Sequence, residues 1–267
     1  MSAREANSLT NDDGIISPGL WAAAQALSAL GFVHVAAPRD QFSGAGRSVP
    51  SNADCRIAVK EVMVNEQPWK VHSVGGSPAQ VVQHAVLEIL PQPPDLVVSG
   101  INYGENIGTG VSMSGTVGAA LEAAAFGIPA LAVSLETEPQ HYYSHSLEVD
   151  FAVAAQFTVH FARLLLERRM PFDIDVLKVD VPAEAALDTP WEVTRLTRRP
   201  YYLTSKPSRS SWDEPGRINY RRADDHENDR PDTDAHVLNV KRAVSVTPLS
   251  LDMTSRVDLS ELERLLR

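Results

Sequence analysis

The sequence predicts an α/β fold built on a mostly parallel sheet, with an inserted β-hairpin and an extended arm near the C-terminus. Three observations carry this expectation. A strand, a helix and a second strand follow one another between Leu9 and Pro38, short apolar runs then alternate with helical patterns as far as Val181, and the last third turns polar. Units of this kind form parallel sheets because a right-handed crossover returns each strand beside its predecessor. With 267 residues, 43% hydrophobic and 22% charged, the chain is long enough for one large α/β domain with a sizeable core, or one domain with an appended arm.

Residues Met1 to Ser8 are polar and resemble a tail, yet a parallel strand should lie just before Asp12. Ala6-Asn7-Ser8-Leu9 is a poor one, because buried parallel strands read as apolar runs. Beyond Gly14, Ser17 can cap a helix and Pro18 suits its first position; Leu20, Ala23, Ala24, Leu27 and Leu30 mark one face before Gly31 ends it. Phe32 to Ala37 is a strand closed by Pro38. The alternating runs Ile57 to Val64 and Trp69 to Val74, around a turn at Asn65-Glu66, predict the inserted antiparallel hairpin. Ser77-Pro78 opens a helix with Val81, Val82, Ala85, Val86 and Ile89 inward, and His84 between them is expected to be solvated or hydrogen-bonded.

Leu96-Val97-Val98 is a short apolar strand that runs into Ser99-Gly100-Ile101-Asn102. Asn102 therefore stands at a strand's C-terminal end, where open α/β sheets bind ligands. A glycine-rich loop follows, and Ser114-Gly115-Thr116-Val117 opens a helix that should stop near Gly127. Its free N–H groups make an oxyanion site, and Ser114 is equally a plain N-cap. Ala130 to Ser134 is a buried strand, Val149 to Arg169 a long helix, and Val176 to Val181 and Trp191 to Thr197 are further strands. The polar stretches Thr204 to Gly216 and Ala223 to Asp234 flank a short strand, Ile218 to Arg222, and Arg221, Arg222, Asp224 and Asp225 read as a solvated face. Val244 to Leu249 returns to the sheet and Leu259 to Leu266 is a terminal helix. The whole is read as a single domain over 1–267, in which 203–234 is a protruding arm that reaches a second subunit.

The bulk numbers exclude several roles. A net charge of -10 disfavours long nucleic acid and anionic lipid but permits a locally positive pocket for a small anion. Cys55 stands alone, so no intramolecular disulfide is possible, which fits a reducing compartment. The stretch from Leu20 to Ala37 is interrupted by Gln25, Ser28, Gly31 and His34 and is no membrane span, and the N-terminus carries Arg4 and Glu5 without an apolar signal core. The expectation is a cytoplasmic protein.

The candidate site begins at Leu9-Thr10-Asn11-Asp12-Asp13-Gly14. Adjacent carboxylates repel one another, and placing both at a strand end makes physical sense where a divalent ion neutralises them. Oxygen ligands suit Mg²⁺, Mn²⁺ or Ca²⁺ better than zinc. By itself Asp-Asp-Gly is also an ordinary turn. The β-α-β crossover brings Asp12 and Asp13 to the same sheet edge as the loop Arg39 to Arg47, whose glycines let backbone approach a ligand and whose Ser43 would face the cation. A flexible solvent loop is the plain alternative.

Taken together these segments resemble one family, the survival protein E (SurE) metal-dependent nucleotidases. The matches are Thr10-Asn11-Asp12-Asp13-Gly14-Ile15 with Pro18-Gly19, Ser43-Gly44, Asp95 to Asn102 with Gly104, Asn106 and Gly108, Ser114 to Ala120, Gly127-Ile128-Pro129-Ala130 and Ser245 to Leu249. The resemblance implies a doubly wound, Rossmann-like α/β protein that forms a homodimer, or a dimer of dimers, through exchanged C-terminal arms. It implies one divalent ion, Mg²⁺ or Mn²⁺, held by Asp12, Asp13, Ser43 and Asn102, with Asn11, Ser114, Gly115 and Thr116 lining a phosphate pocket. Departures from the family pattern are the thin strand before the Asp pair, Met113 where an aromatic is common, Ala123 for a usual glycine, and Arg242 at a position usually glycine.

The expected activity is hydrolysis of a small phosphomonoester such as a nucleoside monophosphate by a metal-activated water, with Asp12, Asp13 and Asn102 as the catalytic set. No histidine stands out in the sequence as the acid for the leaving alcohol. Two rivals stay open at this point: Asp12 or Asp13 as a covalent nucleophile, and a non-catalytic nucleotide or phosphosugar binder on the same fold.

Overall fold

The computed structural model describes residues 6–267, so Met1 to Glu5 of the tail-like stretch Met1 to Ser8, with Arg4 and Glu5, lie outside the described residues. Strands β1 (Ala6–Thr10), β2 (Phe32–Pro38), β3 (Ile57–Val64), β4 (Gln67–Val74), β5 (Leu96–Tyr103), β6 (Ala130–Leu135), β7 (Val176–Val181), β8 (Trp191–Val193) and β11 (Val244–Leu249) form one nine-stranded sheet. Its order is β3-β4-β2-β1-β5-β6-β7-β11-β8. A separate two-stranded ribbon pairs β9 (Tyr202–Ser205) with β10 (Asn219–Arg222). The segment from β4 through β2, β1, β5 and β6 to β7 is parallel, while β3 and β11 run antiparallel to β4 and β7. The hairpin is thus an extension of the main sheet, because β4 pairs with β2 through Ala36 and His72.

Helices cover both faces. On one, α1 (Pro18–Leu27) and α4 (Ala152–Glu167) bury Leu20, Leu27, Phe157 and Phe161 against Leu9, Val35, Val98 and Val133. On the other, α3 (Gly115–Ala125) buries Val117, Ala120 and Ala123 against Val97, Ala130 and Ala132, and α2 (Pro78–His84) packs beside it. Ala123, where a glycine is usual, fits there fully buried. Two further α-helices lie near the C-terminal end, α5 (Asp234–Asn239) and the exposed α6 (Leu259–Leu266). No helix is long and apolar enough to cross a membrane among the described residues.

The thin first strand forms, and it lies at the centre of the sheet. Asn7 is fully buried, Ser8 3% exposed and Thr10 2% exposed, yet β1 is paired on both sides, Leu9 matching Val35 and Val98. Backbone pairing satisfies its main chain, although the Asn7 amide and the Thr10 hydroxyl find no side-chain partner among the described residues. The chain moves outward from β1 through β2 to β4 and then returns to the other side of β1 as β5. That reversal opens the crevice between the ends of β1 and β5, the position where open α/β sheets take their ligands.

Several boundaries shift for local reasons. The helix after Ser77 is α-helical only to His84 and continues as a π turn, Ala85–Ile89, and His84 Nδ1 meets Glu88 Oε1 across the junction at 2.5 Å. Ser17 caps α1 by position alone, since its hydroxyl makes no capping bond. The strand expected over Trp191 to Thr197 stops at Val193, and β9 and α5 were not anticipated. The reading of Arg222 as part of a solvated face is corrected: its side chain is 24% exposed and its Nη1 lies 3.3 Å from Oε1 of the fully buried Glu105 side chain. Arg242 takes the left-handed φ of +53° that suits the usual glycine, and its Nη2 pairs with Glu136 at 2.6 Å.

Candidate metal and phosphate site

At the end of β1 the chain turns on Asn11, whose side chain accepts from Gly14 N at 3.2 Å and donates to Gly14 O at 3.1 Å. Both amide atoms close the turn, and Asn11 is fully buried, which sets Asp12 and Asp13 side by side just past the strand. Asp12 is 3% exposed and Asp13 1% exposed.

Each carboxylate has its own neutral partners. Asp12 Oδ1 accepts from Thr116 Oγ1 at 2.5 Å, and its backbone O accepts from Phe42 N at 2.8 Å. Asp13 Oδ1 accepts from Gln41 Nε2 at 3.1 Å, and its Oδ2 from Tyr103 N at 3.3 Å. Burial raises the Asp12 carboxyl above its ordinary value, against the Thr116 hydroxyl and the amides of Gly115 and Thr116. Asp13 is pushed well up, first by burial and then by the charge of Asp12. Neither carboxylate has a Lys, Arg or His ion-pair partner among the described residues.

The other expected residues lie in separate loops, Asn102 and Ser43 each adjoining a residue whose backbone N–H bonds to the pair. Asn102 is next to Tyr103, and its Nδ2 donates to Gly104 O at 2.6 Å, so Oδ1 is the atom left to face a ligand. Ser43 is exposed in the turn after Phe42, the residue bonded to Asp12. That turn is docked on α3: Gly46 N donates to Met113 O at 2.8 Å, and Arg47 Nε reaches Glu122 at 2.6 Å. A Cβ on Gly118 would come within 2.3 Å of Gly46 O, so α3 must present a glycine for the Ser43 turn to reach its place. Ser114 caps α3 by accepting from Val117 N at 3.1 Å, the plain role foreseen for it. Gly115 lies against Asp12, where an added Cβ would stand 2.7 Å from Asp12 Cβ.

A divalent cation fits this donor set. Two buried carboxylates lacking a protein counter-charge, an amide oxygen and a hydroxyl are hard oxygen donors, the kind Mg²⁺ and Mn²⁺ prefer. No group of three or more His, Cys, Asp and Glu that could hold an ion occurs among the described residues, so an ion at Asp12 and Asp13 would need neutral oxygen donors besides them.

Sequence reasoning missed Gln41, His145 and the Glu105 cluster. His145 Nε2 lies 2.7 Å from Asp13 O. Glu105, three residues beyond Asn102, takes the Tyr201 hydroxyl at 2.9 Å on Oε1, and its backbone O takes the Tyr202 hydroxyl at 2.8 Å. Neighbouring backbone N–H groups of the same loop bond to buried acids, Asn106 N to Asp180 at 2.7 Å and Gly108 N to Asp234 at 2.8 Å. Nothing in the local sequence marks these partners, which come from distant parts of the chain.

Comparison with known proteins is consistent over nearly all of the chain. The family described as Survival protein SurE matches residues 8–202. A protein of Thermococcus gammatolerans named 5'-nucleotidase SurE is 42% identical over 262 residues, 97% of this chain and 94% of its own length. One of the same name from Methanosarcina mazei is 40% identical over 268 residues, 97% of this chain and 96% of its own. Among solved structures, the SurE protein of Aquifex aeolicus superposes with a TM-score of 0.74 at 29% identity, covering 98% of this chain and 100% of that one.

Proposed function

The chain belongs to the SurE family, and from that premise we propose that it is a divalent-metal-dependent phosphomonoesterase that hydrolyses nucleoside monophosphates. The observation that carries this reading is the pair of buried carboxylates, Asp12 and Asp13, set beside the N-terminus of α3 without a protein counter-charge among the described residues. The relatives' name, 5'-nucleotidase, supplies the substrate class.

Asp12, Asp13, Ser43 and Asn102 would hold one ion, Mg²⁺ or Mn²⁺. When bound, such an ion would polarise a phosphoryl oxygen and lower the pKa of a bound water toward about 7. The chain's own groups do the rest. Asn11 closes the turn that presents both carboxylates, and Thr116 Oγ1 fixes the rotamer of Asp12. The positive end of α3, at Ser114 to Thr116, stabilises charge that builds on the phosphoryl oxygens, while the Gly115 and Thr116 amides hold Asp12. Asn102, its Nδ2 tied to Gly104 O, keeps a fixed amide oxygen toward the same space.

On the same reading the chain is one domain over 1–267, in which 203–234 is an arm that engages a second copy to give a homodimer or a dimer of dimers. Its largely polar β9–β10 ribbon, exposed over Thr204, Ser205, Asn219, Tyr220 and Arg221, supports this. The single cysteine supports a reducing, cytoplasmic setting. The test is phosphate release from a panel of nucleoside monophosphates with Mg²⁺ or Mn²⁺ and with chelator. Asp12→Ala should abolish the metal-dependent release, and an unchanged rate would refute the reading.

A further inference from the structure

The segment from Pro139 to Ser146 lies over the candidate site and grips it at four points. Gln41 Nε2 donates to Tyr142 O at 2.7 Å while also donating to Asp13 Oδ1 at 3.1 Å. His145 Nε2 lies 2.7 Å from Asp13 O. Tyr103, whose N–H holds Asp13 Oδ2, donates its hydroxyl to Ser146 O at 2.8 Å. The Tyr142 ring packs on Gly104, where a Cβ would stand 2.5 Å from its Cε1.

The chemistry of these partners fixes proton positions. A carboxylate oxygen and a peptide carbonyl can only accept, so the Gln41 amide must turn its NH₂ toward both, one hydrogen to each. The same argument places a proton on His145 Nε2, since Asp13 O offers none. Asp13 is then held at Oδ1 by Gln41, at Oδ2 by Tyr103 N and at its backbone O by His145, and the carboxylate has no freedom to rotate away.

We infer that Gln41 and His145 are positioning residues for the metal site, which use the Pro139–Ser146 segment as a shared anchor to hold Asp13 in the orientation an ion requires. This inference rests on the metal-site reading above. Groups that orient a ligating carboxylate without touching the ion set its affinity, and losing one costs about 10- to 100-fold.

The test is Mn²⁺ titration calorimetry on the full chain, its Gln41→Met variant and its His145→Ala variant, with thermal melts of each metal-free protein alongside. Gln41→Met keeps length and volume while removing both donors. Both variants should bind Mn²⁺ about 10- to 100-fold more weakly, with metal-free melting temperatures close to that of the natural chain. A natural chain that binds no Mn²⁺ would overturn the metal-site reading itself. A natural chain that binds, with variants whose Kd stays within about threefold, would overturn only this inference. A variant that melts earlier without metal but keeps the natural Kd has a merely structural residue there and also overturns it. His145→Ala carries the same test should Gln41→Met not fold.

Discussion

Replacing Lys178 by Met tests how the loop beyond Asn102 is held. Lys178 is 1% exposed between Asp180, with which it forms a close ion pair, and Asp234, whose Oδ2 is 3.4 Å from Nζ. Burial pulls the ammonium down, but Asp180 and Asp234 outweigh it and raise it above its ordinary 10.5. Its stabilising contribution is therefore fully present below 10.5 and lost only as pH climbs through the higher folded value. Methionine fills the volume and leaves the acids without a counter-charge.

The two acids do not suffer equally. Asp234 also accepts from Gly108 N and Thr197 N at 2.8 Å and from Ala235 N at 2.9 Å, whereas among the described residues Asp180 keeps only Asn106 N at 2.7 Å. Burial already lifts Asp180 above its ordinary 3.8 even with Lys178 alongside. Breaking a buried pair from one side costs about 3–5 kcal/mol. A carboxyl with a raised folded pKa loses stability as pH rises between its unfolded and folded values, so the variant's deficit should grow with pH. Urea unfolding at about pH 5 and about pH 8 reads both effects, with the full ~3–5 kcal/mol expected at the higher pH and less at the lower. A deficit below about 1 kcal/mol, or one equal at both pH values, would refute the account of a charge-balanced triad.

Gly118→Ala should cost ~1–3 kcal/mol and weaken Mn²⁺ binding, because its Cβ would press within 2.3 Å of Gly46 O and displace the turn that carries Ser43; an unchanged melting temperature and Kd would count against that docking. Thr116→Val removes the 2.5 Å hydroxyl bond to Asp12 and should lower kcat/KM about 10- to 100-fold with the fold intact. Kinetics equal to those of the natural chain would mean that the helix amides alone position Asp12. Tyr201→Phe takes a hydroxyl from Glu105, 2% exposed and raised first by burial, at a cost of ~1.5–3 kcal/mol. Because that hydroxyl favours the ionised acid, its loss pushes Glu105 further up, and urea unfolding should show a larger deficit at about pH 8 than at about pH 5.

Local chemistry carried most of the architecture. Ser77-Pro78 opens α2 with a full capping box, Ser114 caps α3, and the apolar runs at Leu96, Ala130 and Val176 became adjacent parallel strands. Apolar periodicity failed at β1, whose Asn7, Ser8 and Thr10 are buried by position. The flanking β2 and β5 supply backbone partners whatever the side chains are.

By itself the sequence determined the parallel α/β plan, the adjacency of Asp12 and Asp13 and the turn that presents them, because propensity, capping and side-chain type act over a few residues. Only the tertiary structure decided what those acids face: Thr116 on Asp12, Gln41 and His145 on Asp13, and Arg222 on buried Glu105. Those contacts join segments far apart in the chain, and they exist because β1 and β5 became neighbours at the point where the strand order reverses.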